Sequence, residues 1–405
     1  MTFRTTETRK VLVCGASIAG PAIGYWLHAY GFDVTLVERA EAVRDGGYPI
    51  DVRGTAIDVM ERMGVLPDLQ AAHIRTRKVT FVGANARTVG SIKPEALMGG
   101  VEGRDVELPR GRLTALLFDR TRDRIQYRFG DWVEALTDQA DGVDVEFHSG
   151  RRERFDLVLV AEGLHSTTRA LVFGPEQQFS RYLGYCFAGL SLPQRDGLQR
   201  EALIYNTPGK VAAVYAVAGE PRLFALLALK RPQPTPLEMA DRDEQRRSMA
   251  RAFAGAGWFV PELIAAAGSA EDFYFDSMTQ IHMPTWSSGR VALLGDAAYG
   301  PSFFSGQGTS IALVGAYVLA GELATHDDHA AAFRAYERTA RAFIEANQAT
   351  AKDGCDTMAP DSAAKLWLRN GMIRLAPLLT RLGLVSRHSR KVHSSLELPI
   401  YQPGT

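Results

Sequence analysis

Every position from Val11 to Cys14 is apolar. A run without polar interruption predicts a strand buried on both faces, as in a parallel sheet. A glycine-bearing turn follows, then a helical pattern stopped by Gly31, then a second strand over Phe32–Glu38. Lys78–Val82 predicts a strand, and Arg110–Leu117 an amphipathic helix with an arginine at its mouth. Three more strands are expected at Ile125–Phe129, Val143–Phe147 and Phe155–Val160. The turns Asp141-Gly142 and Ser149-Gly150 make them a small meander.

Between about Phe173 and Trp286 the pattern changes to long alternating or apolar strands: Leu183–Leu192, Ala202–Asn206, Val211–Val217, Leu223–Leu229 and Phe273–Met278. A hairpin at Asn206–Gly209 joins two of them, and a polar helix is expected over Pro236–Phe253. This reads as an antiparallel sheet inserted between α/β pieces. Its aromatics Tyr185, Phe187, Tyr205, Tyr215, Phe224, Phe273 and Phe275 are candidates for a pocket wall or for ordinary core. A further apolar strand, Val291–Leu294, runs into Gly295-Asp296, a Pro/Ser/Gly loop and a small-residue helix opening near Gly308. Two charged amphipathic helices, Ala330–Ala349 and Ala363–Leu382, are expected to pack across the back and close the two domains together. From Ser389 onward the chain reads as a poorly ordered tail.

The fold class expected is α/β: a Rossmann-like nucleotide-binding domain (1–72, 101–172 and 287–330), assigned to the cofactor named below, an inserted antiparallel-sheet substrate domain (73–100 and 173–286), and C-terminal helices with a tail (331–405). At 405 residues the chain is long enough for two or three domains' worth of core. Lys plus Arg and Asp plus Glu balance at 46 each, so charge gives no argument for nucleic acid or an anionic membrane. The three cysteines, Cys14, Cys186 and Cys355, follow no metal spacing and read as buried thiols of a reducing cytoplasm. The polar start Met1–Lys10 has no signal-peptide core, and the apolar stretch Ile311–Leu323 reads as too short to span a bilayer. The histidines are scattered, and the pair His326/His329 sits in a polar turn that reads as solvated.

Three stretches carry chemistry. Gly15-Ala-Ser-Ile-Ala-Gly20 sits between strand and helix, with Glu38 closing the next strand eighteen positions on. This is a dinucleotide fingerprint with Ser17 in place of the middle glycine. Gly15 permits the turn; Gly20, with Gly24, lets helix and sheet approach; Glu38 grips adenosine ribose hydroxyls. Alone, the fingerprint does not choose between NAD and FAD. Arg39, Arg44 and Arg53 could neutralise phosphate. The strand-end acid Glu162 precedes Gly163 and a helix capped by Ser166. In the third stretch, Asp296 can hold a ribityl chain, and the Gly306-Gln307-Gly308 turn offers free N–H groups to a flavin ring. Taken alone, that stretch is also a plain strand-to-helix turn.

In this order the motifs resemble the single-component FAD-dependent aromatic hydroxylases of the para-hydroxybenzoate hydroxylase type, which include polyketide-tailoring and tetracycline-inactivating monooxygenases. The likeness runs from Val11 to about Leu323. It rests on Gly15, Ser17, Ile18, Ala19, Gly20 and Glu38; on Asp156 to Gly163 with Ser166 and Arg169; and on Gly295, Asp296, Pro301 and Gly306 to Gly308. Arg110 matches the family's arginine on the FAD pyrophosphate side. The resemblance implies bound FAD, transient NADPH or NADH, O2, and hydroxylation of an aromatic or polyketide-like small molecule through a flavin C4a-hydroperoxide. With the thiols and the charge balance, the expectation is a cytoplasmic monomer or homodimer without nucleic-acid or membrane partners. The resemblance names no catalytic base, and the single fingerprint implies a flavin ring that swings between a reducing and an oxygenating position. Four positions depart from the family pattern: Ser17 for glycine, Glu162 for aspartate, Tyr299 for a common histidine near the ring, and Val314-Gly315 for Glu-Asp.

An FAD-dependent dehydrogenase or halogenase would share the scaffold, although the halogenase signature Trp-x-Trp-x-Ile-Pro is absent. A flavin-binding protein without turnover is the remaining reading.

Overall fold

The chain forms a six-stranded and a seven-stranded sheet, with helices packed on both. The structure is a computed structural model that describes residues 8–43, 46–95, 101, 103–195, 197–217, 220–381 and 392–401. The architecture is the expected α/β class, with a Rossmann-like sheet, an inserted antiparallel sheet and C-terminal helices.

The first sheet orders its six strands as Ser287–Ser288, Val291–Leu293, Leu157–Val160, Lys10–Cys14, Asp33–Glu38 and Gln126–Phe129. All pairings are parallel except that of the edge strand Ser287–Ser288. Helices cover both faces, so central strands such as Leu157–Val160 are buried along their whole length. The strand ends meet at one edge, where Gly15, Glu38, Glu162 and Gly295 all lie.

The second sheet has seven strands, ordered Tyr274–Ile281, Ser180–Pro193, Arg222–Lys230, Lys210–Ala216, Glu201–Thr207, Lys78–Val82 and Thr88–Ile92. It is antiparallel apart from the parallel pair formed by Glu201–Thr207 and Lys78–Val82. The hairpin at Asn206–Gly209 is present, with Thr207 opposite Lys210. One face packs on helices Arg242–Ala252 and Val260–Ser269; the other, the cleft face, packs on Phe304 and on Cys355, Met358 and Ile373 from the C-terminal helices.

Several elements differ from the sequence reading. Phe155–Val160 is two strands: Arg152–Phe155 pairs with Gly142–Phe147, then the chain crosses at Asp156 into the parallel sheet. The Asp156 carboxylate accepts from the Lys10 N–H at 2.6 Å and fixes this crossing. Gln126–Phe129 belongs to the parallel sheet, and the third strand of the meander is Val133–Gln139. That strand is mostly solvated and carries little apolar signal. The polar helix breaks at Asp241, whose carboxylate caps Arg242–Ala252 by accepting from the N–H groups of Asp243 and Glu244.

Helix Gly308–Thr325 reaches 18 residues, long enough to cross a membrane by length and composition, but 78% of it is buried inside the fold. It is the core helix. Helix His329–Met358 packs along it, and a Cβ on Gly354 would overlap the Phe304 carbonyl. Helix Ala363–Arg381 lies against the second sheet, with Ile373 filling the space over Gly90. The last described segment, 392–401, is not a loose tail. His393 and Leu398 are buried, the Pro399 carbonyl accepts from the Arg62 guanidinium at 2.7 Å, and Tyr401 occupies the space a side chain on Gly321 would need.

Candidate active site

The first strand delivers Gly15 to the sheet edge at φ +104°, a conformation open to glycine at no steric cost. Its N–H donates to the Val37 carbonyl at 2.8 Å, and a Cβ there would stand 2.6 Å from the Ala161 oxygen. A Cβ on Gly20 would overlap the Gly15 carbonyl, so the turn closes on itself only with glycine at both ends. Ile18 and Ala19 are buried behind it. Glu38 accepts from the N–H groups of Ala16 at 2.8 Å and Ala40 at 2.9 Å, which ties the strand end to the loop.

Far along the sequence from Gly15, strand Val291–Leu293 runs into Gly295, φ +62°. A Cβ on Gly295 would lie 3.1 Å from that of Ala19 and 3.7 Å from that of Ala312. This close approach sets Asp296 beside the first loop. The Asp296 side chain is open to solvent, yet protein surrounds it; burial raises its carboxyl above the usual range, and the Arg110 cation opposes that. The same Arg110 guanidinium donates to the Ser17 hydroxyl at 2.9 Å. One arginine therefore connects both remote segments.

Helix Gly308–Thr325 starts so near that a Cβ on Gly308 would lie 3.7 Å from Asp296 Oδ1 and 3.7 Å from a Pro301 ring carbon. Its first N–H groups have no partner within the helix. The loop before it is strained at Ser302, which holds φ +75°, while Gly306 takes φ +63° freely. Gln307 is 1% exposed, and its side-chain nitrogen has no hydrogen-bond partner among the described residues. A glycine turn that admits no side chain, a carboxylate, and a helix N-terminus with an unmatched amide are what an extended dinucleotide carrying a flavin would need.

A family model described as FAD binding domain matches residues 8–351. The chain belongs to this family of FAD-dependent monooxygenases. It is 37% identical over 399 residues to a flavin-dependent monooxygenase from an unknown prokaryotic organism, covering 98% of this chain and 100% of that protein. A flavin-dependent monooxygenase of Legionella longbeachae is 34% identical over 340 residues, 84% of this chain and 87% of its own. In three dimensions the chain is similar to tetracycline destructase Tet(55), with TM-score 0.84 at 36% identity over 97% of this chain and 99% of that one.

The remaining residues of this monooxygenase's cleft were only partly expected. Arg53 is 6% exposed and pairs with Asp51 at 2.7 Å, while its N–H donates to the Ser310 hydroxyl at 3.1 Å. Arg39 is exposed; it reaches the Thr167 hydroxyl at 3.3 Å and lies 5.0 Å over the Trp132 ring. Arg44 lies outside the described residues. The Glu162 carboxylate accepts from the Ser166 hydroxyl at 2.6 Å, the Thr168 N–H at 2.9 Å and the Thr168 hydroxyl at 2.8 Å. It anchors the start of helix Thr167–Phe173 beside Gly15.

The aromatic candidates sort by sheet face. Tyr205, Phe273 and Phe275 pack against the helices behind the sheet. Tyr185, Phe187 and Tyr215 belong to the cleft face, and Phe224 joins them by strand alternation with Leu226. Phe187 stacks on Phe303 of the strained loop at 5.0 Å and 20°. Tyr48 meets the same ring edge-on at 5.0 Å. Neither Tyr48 nor Tyr274 was singled out from sequence. The Tyr274 hydroxyl donates to Asp276 at 2.6 Å, and its ring lies 5.7 Å from that of Phe187.

His165, Gln280 and Gln348 were also missed. His165 faces carboxylates from both nitrogens, Glu176 at 3.0 Å and Asp276 at 3.2 Å, and these partners push its pKa up to about 10. Gln280 donates to the Pro301 carbonyl at 3.1 Å, and Gln348 to the Tyr299 carbonyl at 2.9 Å, holding the loop from behind. Single glutamines carry no pattern a sequence reading can use.

Tyr299 is corrected. It does not face the cleft but is 1% exposed in the core, 4.8 Å from the Trp286 ring. No metal-ligating cluster exists among the described residues; His326 bonds the Glu322 carbonyl and His329 packs on Phe333.

Proposed function

We propose that this cytoplasmic enzyme uses NAD(P)H and O2 to hydroxylate an aromatic or polyketide-like small molecule. The observation that carries the reading is the meeting of Ser17, Arg110, Asp296 and Gly308 in one cleft. Gly15 to Gly20 and Glu38 would hold the adenosine end of FAD, Arg110 the pyrophosphate side, and Asp296 the ribityl chain. When bound, FAD supplies the redox chemistry, accepting hydride from NAD(P)H and activating O2 for transfer of one oxygen atom.

The chain's own task is positioning. The free N–H groups and positive dipole end at Gly308 would stabilise negative charge on the reduced ring system. Phe187, Tyr215, Phe224, Phe303 and Tyr48 would form an apolar wall that seats a ring-bearing substrate and excludes water. The division of labour assigns the six-stranded layer to the cofactor and the cleft face of the seven-stranded layer to the substrate. Similarity to a tetracycline destructase makes a tetracycline-like molecule the first candidate to try.

The experiment is oxidation of NADPH and NADH by the flavin-loaded protein under air, with phenols and tetracycline-like molecules, followed by product mass. Substrate-stimulated oxidation with a gain of one oxygen is expected. A product lighter by two hydrogens, or no stimulation by any ring-bearing substrate, would contradict the reading.

A further inference from the structure

A second cavity lies outside the cleft, and cations outnumber anions in its lining. Its volume is about 600 Å³, and its charged lining is Arg75, Arg77, Lys93 and Arg104 against Glu95 and Asp105. It sits where residues 73–77 cross into the seven-stranded sheet and where the strand Val106–Pro109 begins. Asp105 is occupied: its two oxygens accept from the N–H groups of Val101 at 2.7 Å and Gly54 at 3.2 Å. Arg104 pairs with Asp58 at 2.7 Å. Arg75 and Arg77 make no ion pair among the described residues. Arg75 also holds a left-handed backbone at φ +51°, a conformation that costs energy for an arginine and recurs at binding sites.

We propose that this groove receives the 2′-phosphate of NADPH and makes the enzyme prefer NADPH to NADH. The inference rests on the reductant assigned in the preceding subsection. Its first support is exclusion at the other nucleotide site. The glycine loop ends in Glu38, whose carboxylate suits ribose hydroxyls and repels a phosphate placed there. With FAD assigned to that loop, a 2′-phosphate needs a separate cationic site.

The second support is chemistry. A phosphate monoester carries close to two negative charges at neutral pH. The guanidinium fork matches its oxygens in pairs, and two arginines without carboxylate partners are available to it. The other large cavity, about 660 Å³ along helix His329–Met358, offers fewer unpaired cations. Arg341 there is paired with Glu337 and Glu345, and Arg334 with Asp328, which leaves, among the described residues, Arg338 alone against the two arginines of the groove.

The third support is reach. The strand Val106–Pro109 leads from the groove to Arg110, which touches Ser17. Four residues at about 3.3 Å each give roughly 13 Å, a span that an extended dinucleotide can bridge.

The test uses the FAD-loaded full chain and two readouts. Calorimetric titration with adenosine 2′,5′-bisphosphate, against adenosine 5′-monophosphate, reads the groove without turnover. Steady-state oxidation of NADPH and NADH reads its use. The wild type is expected to bind the bisphosphate at least about tenfold more tightly than the monophosphate. The double variant R75A/R77A should lose that preference and raise KM for NADPH by roughly tenfold to a hundredfold, with KM for NADH moving by no more than about twofold. Glu95→Gln removes an opposing charge and should tighten the bisphosphate, which keeps the test decisive if the double variant folds poorly. Equal affinity for the two adenosine phosphates, an unchanged double variant, or an equal rise in both KM values would overturn the groove. A wild type that oxidises neither nucleotide sinks the reductant assignment, while calorimetry still decides the groove.

Discussion

The Tyr299 hydroxyl occupies the space that a Cβ on Gly315 would fill, and there it accepts a 3.1 Å hydrogen bond from Tyr336. Both positions depart from the family pattern, and in three dimensions the two departures are one. A large side chain at 299 turns into the core and uses the volume a side chain at 315 would need. Helix propensity alone would make Gly315→Ala stabilising by about 1 kcal/mol. Overpacking a buried site costs about 1–3 kcal/mol and should win. Tyr299→Phe alone should cost about 1 kcal/mol through the lost hydrogen bond. Because the two sites touch, the double variant should cost less than the sum of the singles in urea unfolding. Strict additivity would contradict the coupling.

His165 makes a pH prediction. With a carboxylate at each nitrogen, both must donate, so the folded protein favours imidazolium. Its pKa rises to about 10, from an unfolded value of about 6.5. The stabilisation is therefore complete below about pH 6.5 and declines until pH passes about 10, where it is lost. His165→Gln should flatten the fall in melting temperature across that window. Parallel profiles for variant and wild type would refute the assignment. The side chain is half exposed, so salt should weaken the effect.

Glu162 differs from the family's aspartate by one methylene, and that length is used. Its carboxylate spans Ser166 and Thr168 and neutralises the start of helix Thr167–Phe173. Glu162→Ala should destabilise the protein by about 1–3 kcal/mol, since three donors lose their acceptor. Glu162→Asp, with a shorter reach, should fall between. Urea midpoints in that order are the check; an alanine variant as stable as wild type would remove this role.

The sequence reading succeeded where one physical signal dominated. Val11–Cys14, Lys78–Val82 and Leu223–Leu229 are strongly apolar and lie in strands. It failed where the signal is split between environments. Val133–Gln139 is a strand with almost no buried face, so alternation is invisible. Phe155–Val160 is one apolar run, but Asp156 hands it from one sheet to another. At the site, the glycines and Asp296 were legible because backbone geometry restricts residue type. Tyr274, Asp276, His165, Gln280 and Gln348 were not, since each depends on a partner distant in sequence. The segment 392–401 carries apolar residues at Leu396, Leu398 and Ile400, but its docking needs the gap at Gly321, which no local pattern predicts.

The central claim is that the Gly15 loop and Asp296 grip one flavin together, and equilibrium titration of FAD into the flavin-free protein tests it most directly. Wild type should turn yellow with one FAD per chain. Asp296→Ala should bind at least about tenfold more weakly, the cost of a charged hydrogen-bond acceptor. Gly20→Ala, which drives a methyl into the Gly15 carbonyl, should bind more weakly still. A wild-type protein that takes up no FAD, or variants that bind it as tightly as wild type, would contradict the account.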